Sequence, residues 1–500
     1  MEPRIARRAL IVALISGALA DVAFDRTPLG VNVPIAVIAI VVLVTWFSPD
    51  RRPADRLDWW LPAVAVTAAI GPALRTDPTV VFLDSWLIAG SITAWSLALG
   101  GTAVTRRAAT AVALLGVRAA LALAVTPAWL LARAGADGAF SRGTRQLGRA
   151  TPIVRGGLLA VPVVIGFAVL LGSADAVFGR ALDDALHVPL DLGEATRRTV
   201  FGLLAAAFVA GPSAIAASMS GLVGWAGFAP LDAETAPSPA RGTGATETIV
   251  VLLAVDVLFA VFAAIQVVYL FGGRDTLAAV GMTYSDYARQ GYFQLVAVVA
   301  LAGLLVVGAH HVVGRTRSFL AAGAALLALT AVVLVSAAVR LGLYQGAYGW
   351  TELRFFVATS IAWLGACLVL AVLLLATDRM RWLPHSLALS AVAVTLAVSA
   401  IGPQAFVMHE NLARVLDPAL VAPGGEAGVD LAYGMTLGDD AIPDLVATLG
   451  VVPSSAGSTL LRQLRLRREE LEESSATASP LSWNIARQRA LEALRRLPAP

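Results

Sequence analysis

Twelve apolar runs punctuate residues 1–407 of this chain of 500 residues: Ala9–Phe24, Val31–Ser48, Trp59–Leu74, Thr79–Gly101, Ala108–Ala132, Ile153–Gly172, Thr199–Gly224, Thr248–Phe271, Gly291–His310, Ser318–Val339, Arg354–Ala376 and His385–Val407. Each is close to the roughly 20 residues that an α-helix needs to cross a bilayer. Backbone N–H and C=O groups meet no water at that depth, so such runs fold as helices that satisfy themselves. The expected fold class is all-α, a polytopic transmembrane bundle of about 11–12 membrane helices with a small helical C-terminal tail domain. Composition agrees: 58% of the residues are hydrophobic and 14% charged, where soluble domains carry about 25% charged.

Arginine placement bears on how many runs cross. If all twelve do, Arg divides almost evenly between the two sides. If Ala108–Ala132, with Arg118 near its middle, stays at the cytoplasmic surface, arginines concentrate inside, as the positive-inside rule requires. Eleven crossings are therefore expected, with the N-terminus and its Arg4, Arg7 and Arg8 cytoplasmic and the tail external.

All 37 basic residues are Arg. Without Lys there is no phosphate-binding loop of the GxxxxGK[ST] type and no Schiff base. An Arg- and Ala-rich, Lys-free composition fits a high-GC bacterial genome, and with it a bacterial plasma membrane. No basic run interleaved with aromatics suggests nucleic acid. Cys367, alone in an apolar run, offers neither a disulfide nor a thiolate metal site.

Three regions follow: 1–172 with the N-terminal membrane helices, 173–407 with a second helix group, and 408–500 as an extramembrane tail. In the tail, Leu460, Leu461, Leu464 and Leu471 form one stripe. A second helix, Trp483–Leu497, is expected with Ser482 as its N-cap and Trp483, Ala486, Ala490, Leu491 and Leu494 on one face. Such stripes need something to pack on, here the membrane face or an envelope protein partner.

The densest chemistry lies at Arg340–Arg354, RLGLYQGAYGWTELR. A continuing helix would put Arg340, Tyr344, Tyr348 and Glu352 on one face, with Arg354 opening the next run. Gly342, Gly346 and Gly349 leave room for close backbone approach or a break. Two readings stand: an aromatic belt with a self-satisfied Arg–Glu pair at the membrane interface, or a site for a substrate, ion or signal. A second block, with Tyr287 and Arg289, has the same character. Asp256 lies deep in an apolar run, with Gln266 three turns on. A carboxyl there either bonds to a neighbouring helix or handles a proton or cation. Asp84, near the start of its run, reads as interfacial. HENLA at His409–Ala413 lacks the second His of a zinc-protease motif, so no metal, cofactor or catalytic residue is assigned.

Four segments carry a resemblance: GSADAVF at Gly172–Phe178, YARQGYFQL at Tyr287–Leu295, RLGLYQGAYGWTELR at Arg340–Arg354 and WNIARQRA at Trp483–Ala490. Together they resemble the bacterial multi-spanning families described as domains of unknown function of the 4153/4173 type. Gln290 departs from the Glu usual there. The resemblance, over roughly residues 173–490, implies an integral membrane protein and brings no activity or ligand. The expected function is a non-catalytic envelope sensor, scaffold or regulator; the alternative is a secondary transporter or channel.

Overall fold

The computed structural model describes residues 3–24, 27–48, 52–106, 245–271, 292–422 and 428–498, with the isolated positions 198, 212, 213 and 425. The runs Ala108–Ala132, Ile153–Gly172 and Thr199–Gly224 lie outside the described residues. Among those described, all regular structure is helical. The chain divides into two compact units.

The first unit holds α1 (Pro3–Phe24), α2 (Asn32–Phe47), α3 (Trp60–Leu74), the larger part of α4 (Pro78–Leu99) and the stretch Ala478–Asn484. Polar groups here close helix ends. Both carboxylate oxygens of the buried Asp58 accept backbone N–H groups, from Val104 and Thr105, and so tie down the chain beyond α4. Asn484 Nδ2 donates to the carbonyl of Pro72 near the end of α3 at 2.9 Å. Asp84 is fully buried on α4.

The second unit holds Arg75–Phe82 and the described chain from residue 245 onward, apart from that stretch. Its apolar helices are α5 (Ala245–Phe271), α6 (Tyr292–Val313), α7 (Arg317–Tyr348), α8 (Glu352–Ala376) and α9 (Leu383–Ile401). Leu252, Val306, Phe319, Leu326 and Leu375 pack where α5 to α8 meet. Outward, Val257, Leu258, Val369, Leu373 and Leu389 are exposed, as hydrocarbon-facing side chains are. Five helices among the described residues are long and apolar enough to cross a membrane: Arg56–Leu74, Pro78–Leu99, Arg317–Tyr348, Glu352–Ala376 and Leu383–Ile401. Shorter apolar helices cover Asn32–Trp46, Thr248–Val261 and Leu301–His310.

After α9 the character changes. The expected run to Val407 breaks at Gly402, whose φ of +75° ends the helix before Pro403 starts a new one. There follow the amphipathic α10 (Pro403–Leu416), α11 (Leu431–Thr436), α12 (Ile442–Thr448), α13 (Ser454–Thr477) and α14 (Ile485–Arg495). The parts of this region in the second unit form a cap. Val407, Met408, Leu445, Leu460, Leu464, Leu471, Ala490 and Leu494 share one core with Val80 and Phe355. Leu460, Leu464 and Leu471 of the α13 stripe and Ala486, Ala490, Leu491 and Leu494 of α14 are thus buried as their spacing predicted, while Leu461 is only partly buried. Ser482, however, is not the N-cap of α14. Its hydroxyl donates to Ser479 O within a turn at Pro480–Ser482, and Trp483 is left 46% exposed.

Candidate functional site

An α-helix that ends leaves about four carbonyls without partners, and near hydrocarbon water cannot serve them all. α7 ends at Tyr348 because Gly349, at φ +73°, turns the chain out of the helix. A Cβ there would lie 2.6 Å from Asn411 Oδ1, so the position has room for glycine alone. Two guanidiniums then close the end. Arg414, buried in α10, donates to Gln345 O at 2.7 Å, Gly346 O at 2.9 Å and Ala347 O at 3.3 Å. Arg354 donates to Tyr348 O at 3.0 Å and to Gly349 O, while lying 4.1 Å over the Tyr344 ring. Positive charge at a helix C-terminus also complements the macrodipole. Burial, and secondarily the charge of Arg354, pulls the Arg414 pKa down.

The three residues between α7 and α8 are held as closely. Trp350 N donates to Asn411 Oδ1 at 2.7 Å, and Asn411 Nδ2 donates back to Trp350 O at 2.8 Å. Thr351 Oγ1 caps α8 by accepting from Arg354 N. Glu352 N donates to the hydroxyl of Tyr433 at 2.8 Å, and the Glu352 carboxylate accepts from Gln404 Nε2 at 3.0 Å. Gln404 Oε1 in turn accepts from Gly438 N. Burial pushes the Tyr433 phenol up.

The end of α9 repeats the device. Arg75 donates through Nε to Ser399 O at 3.0 Å and through its terminal nitrogen to Ala400 O, and it pairs with Asp440 at 3.3 Å. A Cβ on Gly402 would fall 2.5 Å from Arg75 Cζ. The other Asp440 oxygen accepts from the amide and hydroxyl of Thr76. Next in the chain, Asp77 caps α4: Oδ1 accepts from Thr79 N at 2.8 Å and Val80 N at 3.3 Å. Its Oδ2 is buried without a hydrogen-bond partner among the described residues. Burial pushes Asp77 up to about 6 against those two amide bonds, with Glu352 and Asp440 adding like charge.

Of the residues singled out in the sequence, Tyr344, Tyr348, Glu352 and Arg354 come together at this junction. The rings of Tyr344 and Tyr348 lie 5.1 Å apart. Glu352 is not on a continuous face with them, because the helix breaks at Gly349. Arg340 lies two turns inside α7, partly buried. Tyr287 and Arg289 lie outside the described residues. Asp256 is remote in sequence and different in kind: it is 8% exposed on α5, and neither oxygen has a hydrogen-bond partner among the described residues.

Sequence reasoning missed Arg75, Asp77, Gln404, Tyr433 and Asp440, and it weighed HENLA only as a failed zinc motif. Asn411 belongs to that segment and Arg414 follows it. Among the described residues, no three His, Cys, Asp or Glu side chains are grouped to hold a metal ion.

The family model described as "Domain of unknown function (DUF4153)" matches residues 62–448. That range begins earlier than the motifs suggest and stops before WNIARQRA. No curated protein and no solved structure matches the chain.

Proposed function

This chain belongs to the DUF4153 family, and we propose that it is a non-catalytic sensor or scaffold of the bacterial plasma membrane whose helical cap faces outward. One observation carries the reading: the polar groups of the α7–α8 junction are spent on the cap. Arg414, Asn411, Gln404 and Tyr433 grip the junction between two membrane helices. A partner that moves the cap therefore moves helix ends.

The outward orientation is supported at the other end of α7 and α8. There Arg315, Arg317, Arg379 and Arg381 crowd two short turns, and Arg315 reaches Asp378 at 3.5 Å and Ala376 O at 3.1 Å. The positive-inside rule assigns that end to the cytoplasm. Single cysteines Ser475→Cys and Thr377→Cys, in a Cys367→Ala background, test this with a membrane-impermeant thiol reagent on intact cells. Labelling at 475 alone is expected; labelling at 377 alone would turn the cap inward. The scaffold role is tested by a photo-crosslinking residue at the exposed Leu466 of α13. One reproducible envelope component is expected, and a smear without a discrete product counts against the role.

The buried carboxyl of Asp256, without a hydrogen-bond partner among the described residues, favours a second reading, a transporter or channel for a small solute or ion. Asp256→Asn would then abolish a flux without lowering expression. Unchanged flux removes that reading.

A further inference from the structure

We propose that Asp77 is a proton-binding site through which acidification tightens the hold of the cap on the turn Arg75–Asp77. The inference deepens the sensor reading, on which it rests, by naming the proton as the signal.

Asp440 has both of its oxygens occupied, one by Arg75 and one by Thr76. Glu352 accepts from Gln404. Asp77 alone in this group of acids is fully buried with an oxygen, Oδ2, that has no hydrogen-bond partner among the described residues. A desolvated carboxylate oxygen without a donor is costly, and neighbouring negative charge raises the cost. A proton from bulk water that adds to Oδ2 removes the charge and breaks no bond. Oδ1 goes on accepting from Thr79 N and Val80 N, so the cap of α4 survives in both states.

Among the described residues the charges that bear on Asp77 are Glu352 at the start of α8 and Asp440 in the turn Asp439–Ala441, and Asp440 is itself paired with Arg75 of the turn that holds Asp77. Asp439, beside Asp440, is paired with Arg467 of α13 at 2.7 Å. Asp77 adjoins the cap contact: Val80, one turn on, belongs to the core shared with Val407, Leu445 and Leu494. Lifting the cap would hydrate Asp77 and return it to an ordinary carboxyl.

The sign follows from linkage. Asp77 titrates near 3.8 when hydrated and is raised to about 6 when docked. The docked state binds more protons between those values, so docking gains as pH falls. The gain is complete below the hydrated value and is lost as pH rises through about 6. Between about pH 7 and about pH 5 the docking equilibrium should shift about tenfold.

The test titrates the full chain in lipid nanodiscs with two readouts. Infrared difference spectra follow the carbonyl band of a protonated carboxyl, and hydrogen exchange, corrected for its intrinsic pH dependence, follows opening at the Thr76, Thr79 and Val80 amides. Wild type should show a band appearing with a midpoint near 6 together with the tenfold change in opening. Asp77→Asn keeps an N-cap acceptor, so it should lack the band and stay closed across the range. Glu352→Gln keeps an oxygen for Gln404, and it should move the midpoint to lower pH.

A band unchanged in Asp77→Asn would overturn the proposal. So would a midpoint at an ordinary carboxyl value, or a titration of Asp77 that leaves opening unmoved. Because both readouts are taken at Asp77 and the amides beside it, a cap that crosslinks to no envelope component would sink the scaffold role while leaving this result standing.

Discussion

The α7–α8 junction and Asp256 both set polar chemistry into apolar sequence, yet the second unit treats them in opposite ways. At the junction the helix-end carbonyls from Gln345 to Gly349 all have donors, supplied by Arg354 and by Arg414 of the cap. Asp256, on α5, has 8% of its surface exposed and no donor for either oxygen among the described residues. A polar group whose bonds are all made contributes to holding a structure in one arrangement. One whose bonds are not made is a net cost, kept only where something other than stability needs it. The difference separates architecture from candidate chemistry more cleanly than residue type does.

The largest expected effect is on the architectural side. Arg414→Ala removes the guanidinium donor from three part-buried carbonyls, of which Gln345 O and Gly346 O keep a backbone N–H, and should cost about 3 kcal/mol in the thermal or denaturant unfolding of the full chain. Arg414→Lys should recover little, since one ammonium cannot reproduce the fork over Gln345, Gly346 and Ala347. A loss under about 0.5 kcal/mol for Arg414→Ala would mean that the junction does not depend on the cap. Next comes Gly402→Ala. It places a side chain at φ +75° against the Arg75 guanidinium and should cost about 1–3 kcal/mol, with Arg75 displaced from Ser399 O. The smallest effect has the opposite sign. Asp256→Leu should be neutral or should stabilise by about 1 kcal/mol, because it deletes an unsatisfied buried carboxyl. A clear destabilisation would show that Asp256 has a partner beyond the described residues, and the comparison would collapse.

How much of this was legible in the sequence depends on the range of each interaction. Helices and their buried faces follow from a local period, and so the α13 stripe at Leu460, Leu464 and Leu471 could be read directly. The break at Gly349 was half legible: the glycines of Arg340–Arg354 signalled one, but only the close approach of Asn411 selects which glycine turns. The donors themselves were invisible. Arg414 reaches Gln345 across 69 residues and Arg75 reaches Asp440 across 365, and nothing in the local composition marks either pair. Ser482 misled because Ser479 and Pro480 form a competing turn just upstream, where a proline at the first position suits a new helical start. The aromatic and charged density of Arg340–Arg354, readable as a belt or as a site, is better explained as the material that closes one membrane helix and opens the next.

The central claim is that the cap holds the ends of membrane helices, and hydrogen exchange over residues 345–355 tests it most directly. The comparison is between wild type and Asn411→Ala, each as the full chain in lipid nanodiscs. Trp350 N has Asn411 Oδ1 as its acceptor at 2.7 Å. The account predicts a protected Trp350 amide in wild type and exchange about tenfold faster or more in the variant, with the middle of α8 unchanged. A Trp350 amide that exchanges as freely in wild type as in Asn411→Ala would contradict it.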